Sequence, residues 1–163
     1  MNEAYLKAKK LGDKAVHRAI LAGRYPYLPA LETMVRGVNT CAVREIGISE
    51  IPLSMISGTR NADRQNAFAE NFMPVLDSSS EFANKWSNLY ESQLELGITD
   101  PIRVCEFMHR FYVVEGNKRV SVMKFVDAPT ITADIRRILP QKSDDPDITA
   151  YYEFVDFHTV TGL

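Results

Sequence analysis

The sequence predicts an α/β domain preceded by a helical section, and three observations carry that prediction. Apolar residues recur at helical spacing over residues 2–22. After residue 97 the period changes, and short β-branched runs take over. Among them, "FYVVEGNKRVSVMKF" (111–125) passes from an apolar strand through a glycine directly into an amphipathic segment. The chain has 163 residues, enough for one domain with a sizeable core. Its composition, 45% hydrophobic and 25% charged, is that of a soluble globular protein. A formal net charge of −2 gives no global attraction to nucleic acid, so a DNA-binding role would need a local basic patch.

Taken in order, residues 2–22 read as a helix, with Tyr5, Leu6, Ala8, Leu11, Ala15, Val16, Ala19 and Ile20 on its apolar side. Gly12 weakens the middle and Gly23 is a plausible stop. The basic residues between them, such as Lys7, Lys10 and Lys14, suit a solvated face. "RYPYLPALETMV" (24–35) is a proline-punctuated link into a short second helix. Together residues 1–40 read as a helical N-terminal extension, with the main domain over 41–163. "VREIGISEIPLSMI" (43–56) is strand-like, and "SGTRNADRQNAF" (57–68) reads as a polar loop. "SEFANKWSNLYESQLEL" (80–96) is an amphipathic helix with N-cap candidates at Ser78–Ser80, closed by Gly97. Trp86 on its apolar side suits the core better than a stacking platform. "DPIRVCEF" and "RFYVVE" are strands joined by a turn near Met108–Arg110. Asn117 to Asp127 is a helix, "TITADIRRI" (130–138) a strand, 140–147 a loop, and 148–160 a further helix.

Few residue clusters point to chemistry. Cys41 and Cys105 are the only cysteines and form neither a disulfide framework nor a metal-type group. A reduced, cytoplasmic protein is therefore the expectation. The N-terminus is charged throughout and has no signal-peptide core, and no stretch is long enough to span a bilayer. His17, His109 and His158 are too scattered for a triad or a metal site. The strand–turn–helix at 111–125 is different. Glycine permits the tight turn, and the first helical turn after it presents outward N–H groups which, with the helix dipole, attract phosphates. Lys118 and Arg119 stand beside those donors, where cations are unfavourable unless an anion is present. Two solvated side chains would look the same in sequence.

The same stretch resembles the ParB/sulfiredoxin-like superfamily. The resemblance rests on Pro101-Ile102-Arg103-Val104, then Tyr112-Val113-Val114-Glu115-Gly116-Asn117-Lys118-Arg119, then Ile131-Thr132-Ala133-Asp134-Ile135. Upstream, "REIGISEIPLSMISGTR" is similar to the family's first strand and the loop after it. The resemblance implies a small mixed sheet with flanking helices, binding a nucleotide phosphate at the Gly-x-x-Arg turn. Gly116, Asn117, Lys118 and Arg119 would cradle the phosphates, and Thr59 and Arg60 would reach in from the upstream loop. The implied ligand is a nucleoside triphosphate, ATP or CTP, with Mg²⁺ to offset its charge. Glu115 is the nearest carboxylate: it would hold the metal's waters or act as a base, or else serve as a strand-end acid or salt-bridge partner. If hydrolysis or phosphoryl transfer occurs, positioning and electrostatics would supply most of the catalysis.

The chain also departs from the family. Sulfiredoxins need a cysteine directly after the turn glycine, and here that residue is Asn117, which argues against their chemistry. Nothing after residue 140 reads as a helix-turn-helix, which argues against full partition function. Two other readings stand beside nucleotide binding. One is a DNA-binding or nuclease-like regulator using Arg103, Arg110, Lys118, Arg119, Lys124, Arg136 and Arg137, whose affinity would fall steeply with salt. The other is a non-catalytic sensory or interaction module. A homodimer, and a further domain behind this one as in longer bacterial members, are compatible with all three.

Overall fold

In the computed structural model, residues 3–97 and 99–161 are described, without the side chains of Arg64 and of residues 158–161. His158 therefore falls outside the described side chains. The elements run α1 (Glu3–Leu21), α2 (Leu31–Met34), β1 (Val43–Pro52), β2 (Ile56–Thr59), α3 (Glu81–Glu95), β3 (Ile102–Phe107), β4 (Arg110–Glu115), α4 (Asn117–Phe125), β5 (Thr130–Ile138) and α5 (Pro146–Thr161). The five strands form one mixed sheet in the order β1-β5-β3-β4-β2. β1 is antiparallel to β5, β3 is antiparallel to β4, and the β5–β3 and β4–β2 pairs are parallel. Met108 and His109 both have positive φ in the turn between β3 and β4, the geometry that fits a two-residue hairpin to the twist of its strands.

The expected mixed α/β architecture is present, with two local differences. The run 43–56 is not one strand: β1 stops at Pro52, a 3₁₀ turn occupies Leu53–Met55, and the chain re-enters the sheet as β2. The stretch expected as a loop from residue 57 therefore begins as an edge strand, and Ala62–Ala67 then form a 3₁₀ helix.

One face of the sheet carries the main core, where Ile102, Val104, Val113, Ile131, Ala133 and Ile135 meet Val120 and Met123 of α4. Helix α3 packs beside α4. Ser80 caps its N-terminus by accepting from the Ala83 N–H at 3.1 Å. Trp86 is fully buried and donates Nε1 to Ser121 Oγ at 2.8 Å, so it belongs to the core as expected. Helix α1 buries Ala4, Tyr5, Ala8, Gly12 and Ala19, whereas Leu6, Leu11 and Ile20 stay exposed. Its inward face carries Tyr5 and otherwise small residues, and at Gly12 the loop at Met73–Pro74 passes very close. A Cβ on Gly12 would collide with the Pro74 carbonyl oxygen. The other face of the sheet packs Cys105, Tyr112 and Ile138 against Leu31 and Val38. Helix α5 is tied to the sheet by Tyr151, whose hydroxyl donates to the buried Glu106 carboxylate. Among the described residues no helix is long and apolar enough to cross a membrane.

Candidate functional site

The site grows from the end of β4. Val104 pairs with Val113 and Arg103 with Glu115, so Val114 is an extra residue, a bulge just before the turn. A bulge bends its strand and re-aims the residues that follow. Gly116 comes next as the N-cap of α4, with φ 112° and ψ 23°. Two constraints meet at that position. The left-handed backbone suits glycine, and a Cβ would lie 2.5 Å from Ile102 Cγ2. No side chain caps α4, so its first-turn N–H donors face outward at the positive end of the helix dipole.

Asn117 is buried, and its Nδ2 donates to Thr59 Oγ1 at 3.2 Å. The Thr59 hydroxyl donates in turn to the Val113 carbonyl at 3.2 Å. Because that proton is committed, Thr59 can only accept from Asn117, which sets the orientation of the amide. Asn117 Oδ1 is then buried with no hydrogen-bond partner. Lys118 Nζ lies 5.2 Å from the Phe82 ring centroid, within cation–π range. Arg119 folds back from the helix. Its Nη1 donates to the carbonyls of Asp100 at 3.1 Å and Pro101 at 3.3 Å, and its Nη2 lies 3.6 Å from Glu115 Oε1. Glu115 also lies 3.7 Å from Arg103. The carboxylate thus stands between two arginines as a salt-bridge partner, and Arg119 pins the start of β3 to the turn.

Thr59, Glu115 and Gly116–Arg119 are therefore brought together. The Arg60 side chain is not with them. In an extended segment successive side chains point to opposite faces; Thr59 faces the turn, and Arg60 lines a separate cleft on the far side of the sheet. There its Nη2 donates to Asn39 Oδ1 at 2.6 Å. Two cations of the DNA-binding reading are drawn away from the surface. Arg137 is buried and donates Nε to Glu106 at 2.9 Å. Lys124 is half-buried over the Phe72 ring, where desolvation lowers its pKa.

The turn opens onto a cleft of ≈ 660 Å³. Phe68, Phe82 and Leu89 form an apolar wall, and Asp63, Glu81 and Lys85 stand on its polar side. With Glu115, Lys118 and Arg119 the ionised lining is balanced in sign, so an anion held here would depend on backbone donors as much as on net charge. The aromatic wall was not legible as a wall, because Phe82 sits in α3 at a spacing that equally describes a core residue. Among the described residues no group of three or more His, Cys, Asp or Glu is placed to hold a metal ion.

No family model matches the chain, and no curated protein matches it. Among solved structures it is similar to sulfiredoxin from Arabidopsis thaliana, with 28% identity and a TM-score of 0.38 over 55% of this chain and 84% of that one. It is also similar to the C-terminally truncated chromosome-partitioning protein ParB from Caulobacter crescentus complexed with CTP-gamma-S, with 18% identity and a TM-score of 0.39 over 68% of this chain. The chain spans about half of that ParB structure, 53% of its length.

Proposed function

We propose that the cleft at the Gly116 turn binds a nucleoside triphosphate through its phosphates. The observation that carries the reading is the uncapped N-terminus of α4, whose first-turn N–H donors open on this cleft with Lys118 beside them. First-turn N–H donors and Lys118 would take phosphate oxygens. Thr59 would act as a positioning residue by holding the Asn117 amide, and Arg119 by holding the start of β3 against the turn. The apolar wall of Phe68 and Phe82 would receive the base, with ATP and CTP as the candidates. Mg²⁺ would enter on the phosphates with most of its waters retained, which needs only one or two carboxylates from the protein; Glu115 is the nearest. Hydrolysis or phosphoryl transfer would use the same arrangement.

Calorimetric titration of ATP and of CTP, each with and without Mg²⁺, tests the reading. Saturable binding of at least one is expected, weakened about ten-fold or more in a folded Lys118→Ala variant, the loss of one charge-assisted contact. Absence of binding by either nucleotide would refute it.

A further inference from the structure

The face of the sheet opposite α4 carries a second, smaller cleft of ≈ 270 Å³. The parallel pair β3–β5 sets Arg103 and Cys105 beside Asp134 and Arg136 on that face, and Arg60 joins them from the end of β2. Three guanidinium groups thus share a lining with one carboxylate, Asp134. The outer two have exposed partners: Arg103 lies 3.7 Å from Glu115, and Arg136 lies 3.3 Å from Glu45. Exposed pairs of this kind are weak and screened by salt.

Arg60 is held differently. Its N–H donates to the Val113 carbonyl at 2.7 Å, and its own carbonyl accepts from the Glu32 N–H at 3.3 Å, so its backbone is fixed on both sides. Nη2 donates to the neutral Asn39 amide, Nη1 is buried without a nitrogen or oxygen acceptor, and the guanidinium also reaches the Cys105 thiol. A charged donor buried in this way is costly. The neighbouring thiol does not supply the counter-charge. Burial pushes the Cys105 pKa up in spite of Arg60 and Arg136, so the thiol stays neutral.

We propose that this cleft is a second binding site, specific for a small oxyanion and separate from the Gly116 turn. Planar guanidinium groups match the paired oxygens of a carboxylate or a phosphate monoester. The volume sets the size class. At ≈ 270 Å³ the cleft falls below the roughly 300–1,000 Å³ of sites that enclose drug-sized ligands, so it suits one small charged group and not a nucleotide.

Orthophosphate and succinate, titrated separately at constant ionic strength into the isotope-labelled chain and followed by NMR, test the proposal. A saturable shift of the Arg60, Cys105 and Arg136 amide resonances is expected with one of them; the one that saturates tells phosphate chemistry from carboxylate chemistry. Arg60→Met should weaken that binding at least ten-fold, and Arg60→Lys should restore part of it. If Arg60→Met does not fold, Arg136→Gln on the exposed rim serves instead, with an expected loss of about three-fold. No saturable shift with either anion, or wild-type affinity in a folded Arg60→Met or Arg136→Gln variant, would overturn the site. Triphosphate binding reads out separately at the Lys118 and Val120 amides, so failure at one cleft is distinguishable from failure at the other.

Discussion

Asn117 donates its side-chain amide to the Thr59 hydroxyl across 3.2 Å, and so joins the first turn of α4 to the end of β2. Both partners are buried, and the hydroxyl is used twice, since it also donates to Val113. Thr59→Val keeps the shape and removes both bonds. It should cost about 1–3 kcal/mol, because the Asn117 amide is then left buried without its acceptor. Thr59→Ser should retain most of the stability. Denaturant titration of the two variants makes the comparison, and equal stability of Thr59→Val and wild type would show that the bond contributes nothing.

Gly116→Ala should be among the most damaging single-methyl changes in the chain. The added carbon meets Ile102 and sits on a left-handed backbone. Strain and overpacking together should cost roughly 2–5 kcal/mol. The thermal midpoint reports this directly. Pairing the change with Ile102→Val should not rescue it, because valine keeps the Cβ and Cγ2 that the added carbon meets.

Arg119 should stabilise the fold in the absence of any ligand. Its guanidinium bridges the carbonyls of Asp100 and Pro101. Arg119→Ala should therefore lower stability by about 1.5–3 kcal/mol, the range for hydrogen bonds to a charged group. Arg119→Lys should recover only part, because an ammonium does not reproduce the two-pronged grip. Melting curves without nucleotide decide this, and an unchanged midpoint in Arg119→Ala would exclude the clamp.

The junction of α5 with the sheet should fail through charge. Glu106 accepts from Tyr151 Oη at 2.6 and 2.7 Å and from Arg137 Nε at 2.9 Å, all in buried surroundings. Arg137→Met strands the carboxylate and should cost roughly 3–5 kcal/mol. Tyr151→Phe removes only the hydroxyl and should cost about 1.5–3 kcal/mol. The double variant Glu106→Gln/Arg137→Met should be more stable than Arg137→Met alone; thermal unfolding followed by circular dichroism ranks the three.

Glu50 sets an acid limb of the stability profile. Its two oxygens accept from Thr132 Oγ1 at 2.5 Å and Thr130 Oγ1 at 2.7 Å across the β1–β5 pair, and these bonds hold its pKa below the usual 4.5. A carboxyl depressed on folding stabilises above its unfolded pKa and loses that contribution as pH falls through the folded value. Wild type should therefore lose stability below about pH 4.5 more steeply than Glu50→Gln, as read from melting points between pH 3 and 6. Parallel profiles would rule the contribution out.

The strand–glycine–helix at 111–125 was readable because three signals agree there: β-branched residues, a glycine at the turn and a helical period after it. β2 was not. It has four residues, three of them Ser57, Gly58 and Thr59, and it pairs in parallel with β4, so no hairpin turn announces it. What makes it a strand is tertiary: Thr59 donates its N–H to the Pro29 carbonyl at 2.9 Å, and Gly58 lets that carbonyl approach. The family resemblance implied that Thr59 and Arg60 would act on one site, whereas the extended backbone there sends them to opposite faces. The inward face of α1 was obscured for a related reason. Gly12 is required by the nearness of the 73–74 loop, which no helical period encodes, and the larger Leu6 and Leu11 of the same helix remain outside.

Helix α1 lies far ahead of its partners in the chain. The Tyr5 hydroxyl bonds to the Leu76 carbonyl, 71 positions on, and the cluster around Tyr5 and Ala8 includes Trp86 and Val122. Until Val122 has left the ribosome that cluster is incomplete, and a 19-residue helix waits with its inward face uncovered. Closing a loop of such length before any contact rewards it is slow. Docking of α1 therefore waits on α3 and α4, the elements that supply Trp86 and Val122.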